Sequence, residues 1–214
     1  MAPRGRPQNP EQQEQTRNAL KQAAKDLLCE RSYRSITLRT LAERAGTQSA
    51  MVSYYFGSKE ELFAELLRDV GDERMEVFVD ISRVAEQQPE KAIDLIIDSM
   101  LEHTIQELWL FRLLQDDVLT QESRLRNDMI KMGPIRLGGY LAQMLEEMKA
   151  KGLLKPELNP QFAAVTILSN LIAPILLEPI FNEGFQLDMN RIGSEEWKSH
   201  VKTILNNSLI NADS

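Results

Sequence analysis

The chain has 214 residues, 43% hydrophobic and 27% charged, with one cysteine and a formal net charge of −7. Such a length can bury about 70% of the unfolded chain's surface, so stability requires neither disulfides nor metals. Cys29 has no internal partner to bridge, and the polar, basic start carries no apolar stretch of a secretory signal, so a reducing cytoplasm is the expected compartment.

Charge is unevenly spread. Residues 1–59 carry ten Lys and Arg against five Asp and Glu, whereas residues 60–214 carry 15 against 27. A basic head on an acidic body is expected to meet a polyanion with the head alone.

Asn9-Pro10-Glu11-Gln12 reads as a helix start, and Leu20, Ala23, Ala24, Leu27 and Leu28 repeat as one buried stripe to about Ser32. Thr37 is the expected N-cap of helix 2, with Ile36 and Leu41 spaced as a hydrophobic staple and Gly46 as its stop. Helix 3 restarts within a few residues and must cross helix 2. Ser58-Lys59-Glu60-Glu61 reads as a capping box for helix 4, with a break or bend possible at Gly71.

From Pro89 to Leu119 the pattern is again helical, with Ile93, Ile96, Ile97, Met100, Leu101, Ile105, Leu108 and Trp109 turned inward and a break near Trp109 to Arg112. A helix from about Glu122 to Lys151 should kink at Gly133-Pro134. Asn159-Pro160 opens another, uncharged from Gln161 to Leu177; at 17 residues it is short of the ~20 a bilayer span needs, so it reads as buried, with a second copy covering its far side. Ser194 caps a last helix whose Trp197, Val201, Ile204, Leu205 and Ser208 suit the same interface. The expected fold is all-α.

Ala42, Gly46 and Val52 stand at relative spacings of 0, +4 and +10, as a helix-turn-helix requires: a small residue at the crossing, a turn glycine and an apolar plug. Setting Val52 inward on helix 3 puts Phe56 and Gln48 on the inner side and Ala50 and Tyr54 outward, flanked by Met51 and Ser53. This short-chained outer face fits a major groove. Lys59 opposes the dipole of helix 4 and makes sense beside a phosphate.

The stretches Ile36-Thr37-Leu38-Arg39, Leu41 to Gly46 and Ser53-Tyr54-Tyr55-Phe56-Gly57-Ser58-Lys59-Glu60-Glu61-Leu62-Phe63 together resemble the TetR family of bacterial transcriptional regulators. The resemblance covers about the first 70 residues. It implies a three-helix DNA-binding head, a larger helical body that binds a small effector, and a homodimer built on the last two helices. Thr47 and Ser53 depart from the family's usual apolar residue and tyrosine, which bears on base preference.

Within that frame Tyr54, Tyr55 and Lys59 are expected to hold the DNA backbone, with Thr37, Arg39, Gln48, Ser49, Ala50, Met51 and Ser53 also on the DNA side. Pro3-Arg4-Gly5-Arg6-Pro7 resembles an AT-hook core, which would lay Arg4 and Arg6 in an A·T-rich minor groove. The expected organisation is a flexible arm (1–8), a helix-turn-helix domain (9–57), a connecting helix 4 (58–80) and an effector-binding and dimerisation domain (81–214). Met100, His103, Trp109, Tyr140, Met144 and Phe162 are candidates to line a pocket for a hydrophobic or amphipathic effector. His103 and His200 lack partners at ligand spacing, and Asp116-Asp117 reads as a solvated pair, so neither metal nor cofactor is expected. The expected function is a dimeric repressor released from an inverted-repeat operator by its effector. The rivals are a helical dimeric interaction protein, which leaves the basic head unexplained, and an enzyme, which lacks any nucleophile-and-base anchor.

Overall fold

The computed structural model describes residues 10–88, 91–118, 125–127, 134–186 and 191–211, and over them the regular elements are helical, with one isolated bridge between Leu154 and Ile210. Helix α1 (Pro10–Glu30) buries Leu20, Ala23, Ala24, Leu27 and Leu28, the stripe its spacing predicts. A 3-10 turn at Tyr33–Ser35 leads to α2 (Leu38–Arg44), closed by a reciprocal cap: Thr40 N–H donates to Thr37 Oγ1 at 3.2 Å, and Thr37 N–H donates to Thr40 Oγ1 at 3.0 Å. Gly46 stops α2 at φ 67°, a left-handed conformation that suits glycine, and α3 (Ser49–Phe56) follows at once.

Helix α4 (Lys59–Gln87) begins under the Ser58 cap, whose Oγ accepts from Glu61 N–H at 3.1 Å. It outruns the expected end at residue 80 and passes unbroken through Gly71. One helical glycine costs about 1 kcal/mol relative to alanine. The apolar stripe on both sides outweighs that, with Leu66, Leu67 and Val70 buried before Gly71, and Ile81 and Ala85 after it.

Charge pins α1 to α4. Glu65 accepts from Arg17, and from Lys21 at 2.6 Å, while Lys21 also reaches Asp69 at 2.7 Å. Burial alone would raise the Glu65 carboxyl, but the hydrogen bonds from both cations outweigh it and hold the group below its ordinary range. A depressed carboxylate stabilises the fold above its unfolded pKa and loses that contribution as pH falls through the folded value. Glu65→Gln is therefore expected to cost about 1 kcal/mol at neutral pH and little below the ordinary carboxylate range. Urea unfolding at the two pH values checks this; an equal cost at both would contradict the clamp.

The body comprises α5 (Ala92–Gln106), α6 (Leu108–Leu113) with a π-helical turn at 114–118, α7 (Pro134–Ala150), α8 (Pro160–Leu176), α9 (Glu178–Phe185) and α10 (Glu195–Leu209). Helix α7 packs on α8, α10 on α5, and α4 on both α5 and α7, around Ile93, Ile97, Leu101, Leu145, Ile167, Leu171, Val201 and Leu205. Asn159 caps α8 by accepting from Gln161 and Phe162 N–H, and Ser194 caps α10 by accepting from Trp197 N–H.

Several expectations are corrected. The break after α5 falls at Glu107, before the expected Trp109 to Arg112, and it turns Leu108 outward to 48% exposure while Trp109 goes in. The uncharged helix runs through Pro174 and stops at Leu177, where a separate α9 starts. Asn9 and Gly133 lie outside the described residues, and Pro134 begins α7. Among the described residues no helix is long and apolar enough to cross a membrane.

Candidate DNA interface and body cavity

Two buried plugs set the helix-turn-helix. Val52 and Phe56 of α3 lie in one core with Leu41 and Ala42 of α2 and Leu20 and Phe63 of the flanking helices. That leaves Ser49, Ala50, Ser53 and Tyr54 facing outward, Tyr54 at 68% exposure. Gln48, placed inward by helical projection, is instead the exposed N-cap of α3, because the helix begins only at Ser49. Thr37 is exposed at the start of α2, while Met51 is half-buried. The Tyr54 and Tyr55 rings meet edge to face at 5.1 Å, and Tyr55 packs half-buried against the head core.

The cations already have partners. Arg39 Nε donates to Glu43 at 2.8 Å in a highly exposed, solvent-screened pair that is easily surrendered to a base. Lys59 Nζ donates to the Tyr33 carbonyl at 3.0 Å and lies 4.0 Å from that ring's centroid, so the first turn of α4 keeps its positive charge beside the link to α2. Tyr33 is the junction: its N–H donates to Asp116 in the π-helical turn at 2.8 Å, and its ring meets Phe63 edge to face. Asp116, read from sequence as solvated, thus ties body to head; its partner is 83 residues away and no local pattern announces it. Arg4 and Arg6 lie outside the described residues.

The head core is completed from the body. Trp109, Leu110, Leu113 and Leu125 join the cluster of Leu20, Val52 and Phe63, and α6 packs on α1. Lys25 Nζ stands 5.4 Å from the Trp109 ring centroid. Trp109 is therefore a seam residue and lines neither cavity described below.

Between the body helices lies a narrow cavity of ≈ 50 Å³. Arg74, Phe78 and Ile81 of α4 form one wall, and Ile96, Ser99, Met100 and His103 of α5 the other. Leu141 and Leu168 close it. Phe78 also borders a second, more open groove of ≈ 220 Å³, with Ala85, Tyr140, Met144 and Met148 as its apolar lining and Ser82, Gln143, Glu147 and Lys151 as its polar lining. The structure thus brings Met100 and His103 to the first space and Tyr140 and Met144 to the second. Phe162 borders neither and stands 72% exposed on α8.

The sequence reading missed Arg74 and Glu107, a buried ion pair at 3.1 Å with side chains only 12% and 11% exposed. Arg74 Nε is buried and without a hydrogen-bond partner. Burial pushes the Glu107 carboxyl above its ordinary range and lowers the Arg74 guanidinium, each opposed by the other's charge. A signal existed: Arg74 interrupts the apolar stripe of α4 between Val70 and Phe78, at four-residue spacing from both.

A compact helix-turn-helix head presenting an uncharged, short-chained α3 face, joined by a long helix to an α-helical body, defines a DNA-binding transcriptional regulator. Residues 20–66 match the family described as bacterial regulatory proteins, tetR family. The match spans the helix-turn-helix and the residues that flank it, so the head is similar to the DNA-binding heads of that family. The chain is 26% identical over 155 residues to the HTH-type transcriptional repressor KstR2 of Mycolicibacterium smegmatis, covering 72% of this chain and 74% of that protein. Its fold is similar to the ketosteroid transcriptional regulator KstR2 of Mycobacterium tuberculosis, with TM-score 0.70, 20% identity, and 91% and 95% of the two chains covered. It is also similar to the fatty acid degradation regulator FadR of Bacillus halodurans, with TM-score 0.67, 18% identity, and 94% and 95% covered.

Proposed function

We propose that the protein is a homodimeric repressor that holds an inverted-repeat operator and releases it when a small apolar or amphipathic molecule enters the body. The outer face of α3 carries this reading: Gln48, Ser49, Ala50, Ser53 and Tyr54 are exposed together, with no carboxylate among them to repel DNA. Release by a ligand is supported by apolar space beneath α4, the helix that begins at Lys59 beside the DNA face. Repression is supported by the similarity to KstR2 of Mycolicibacterium smegmatis, a transcriptional repressor. The arm, through Arg4 and Arg6, adds contacts in an A·T-rich minor groove.

A dimer is supported by α8. Phe162 and Val165 stand exposed on this uncharged helix, and Ile180 of α9 and Ile204 of α10 are exposed as well. A two-fold axis through this face sets two recognition helices about 34–36 Å apart, or a multiple of that, on successive half-sites.

The test uses DNA selected by the purified protein from a random pool. Lys59→Ala is expected to weaken all sequences alike and to lower the slope of log affinity against log salt by about one. Arg39→Ala is expected to cost about 1–3 kcal/mol at particular bases. Unchanged affinity and salt slope in both variants would contradict this docking.

A further inference from the structure

The narrow cavity has one strongly charged group, and its position is informative. Its walls are otherwise apolar apart from Ser99 and His103, and no carboxylate lines it. The Nδ1 atom of His103 lies 2.8 Å from the Ser99 carbonyl oxygen, which assigns the ring proton to that nitrogen. Arg74 gives one nitrogen to Glu107 and leaves Nε buried with no acceptor. A guanidinium with an unmet donor in the wall of an otherwise apolar space is half of a recognition site for an anion.

Resting on the ligand-responsive reading above, we propose that the body takes an elongated apolar molecule with a single anionic head, and that Arg74 selects that head by exchanging Glu107 for it. The remaining geometry follows the same line. A space of ≈ 50 Å³ receives a head group but not a whole ligand. Phe78 lines both this space and the ≈ 220 Å³ groove, its ring 5.9 Å from Tyr140. Rotation of Phe78 joins the two spaces, and from Arg74 to Ala85 the path along α4 is about 16 Å at 1.5 Å per residue. A cationic head would meet Arg74 as a like charge, and a sugar would leave its hydroxyls against apolar walls.

The exchange also supplies the signal. Glu107, deprived of its partner, cannot stay buried as a carboxylate. It forms the break between α5 and α6, and α6 starts at the next residue. Helix α6 packs on α1, and the turn after it holds Tyr33 through Asp116. A shift of Glu107 therefore reaches both the α1 scaffold and the link beside Lys59. One contact reads the ligand's charge and reports it to the DNA face.

The experiment compares dodecanoate, dodecan-1-ol and dodecylamine, below micelle-forming concentrations, on the full-length protein. Binding is read by calorimetry and thermal shift, and release from the selected DNA by fluorescence anisotropy. Dodecanoate is expected to bind about tenfold or more tighter than the alcohol, the size of one charge-assisted hydrogen bond, and the amine weakest of the three. The double variant Arg74→Met/Glu107→Leu removes both charges together and so avoids an orphaned ion; it should bind carboxylate and alcohol alike. Glu107→Gln, which removes the competitor, should bind dodecanoate several-fold tighter than the wild type, since only an uncharged amide then vies for Arg74. Equal binding of acid and alcohol by the wild type, or a preference that survives the double variant, overturns the role of Arg74 while leaving an effector site in place. Failure of all three compounds to bind or to release DNA overturns the ligand-responsive reading and this inference with it.

Discussion

Glu107→Ala is expected to destabilise the protein by about 3–5 kcal/mol, among the largest effects of any single substitution in the body. The cause is the ion left behind. Arg74 remains buried on α4 with no carboxylate, and arginine cannot shed its proton to escape the cost. Arg74→Ala should cost less, because a carboxyl can protonate. Burial already raises Glu107, opposed by Arg74 and Lys25 and assisted by Glu73. Removing Arg74 raises it further. An acid whose folded pKa lies above its unfolded value stabilises fully at low pH and loses that contribution as pH rises through the folded value. The Arg74→Ala variant should therefore be more stable in mildly acid than in mildly alkaline buffer. The double variant Arg74→Met/Glu107→Leu should return to wild-type stability or above, since apolar residues of similar volume fill the space without desolvating a charge. Urea unfolding of the three variants across pH is the measurement; additive losses in the double variant would show that the pair is not coupled.

The head was readable in the sequence because its determinants are local. Thr37, Ala42, Gly46 and Val52 act within fifteen or so residues of one another, through a cap, a crossing, a turn and a plug, each a matter of backbone conformation or side-chain size. The body's helices were readable for the same reason, since Asn159 and Ser194 cap their own helices. What periodicity could not supply was the direction a helix faces once it restarts. A break at Glu107 rather than Trp109 changes the phase of α6, exposes Leu108 and sends Trp109 to the head instead of the cavity. Gly71 illustrates a different limit, since a local helix-breaking preference of about 1 kcal/mol yields to tertiary burial on both sides. Arg74 and Glu107 are 33 residues apart, and Tyr33 and Asp116 are 83 apart. Such pairs exist only after packing, so the contacts that join cavity to head are those that sequence reading leaves out.

Val165→Glu is expected to weaken dimerisation about 100-fold or more, because a two-fold interface buries the substitution twice and each buried carboxylate costs a few kcal/mol. The protomer itself should be indifferent, since Val165 is 60% exposed on α8 while Ala163, Ala164, Ile167 and Leu171 do the inward packing. The face around it is chemically prepared for burial. Thr166 Oγ1 donates to the Phe162 carbonyl and Asn170 Nδ2 to the Thr166 carbonyl, both at 2.9 Å, so each already spends a donor within the helix and asks less of a partner. Loss of the dimer separates the two recognition helices and should reduce affinity for an inverted repeat far more than for a half-site. Light scattering at micromolar concentration, circular dichroism of the variant and binding to both DNAs check the three parts. A variant that stays dimeric with Val165→Glu in place would move the interface off α8, whereas a monomer that still binds the full operator as tightly as the wild-type dimer would separate DNA recognition from dimerisation.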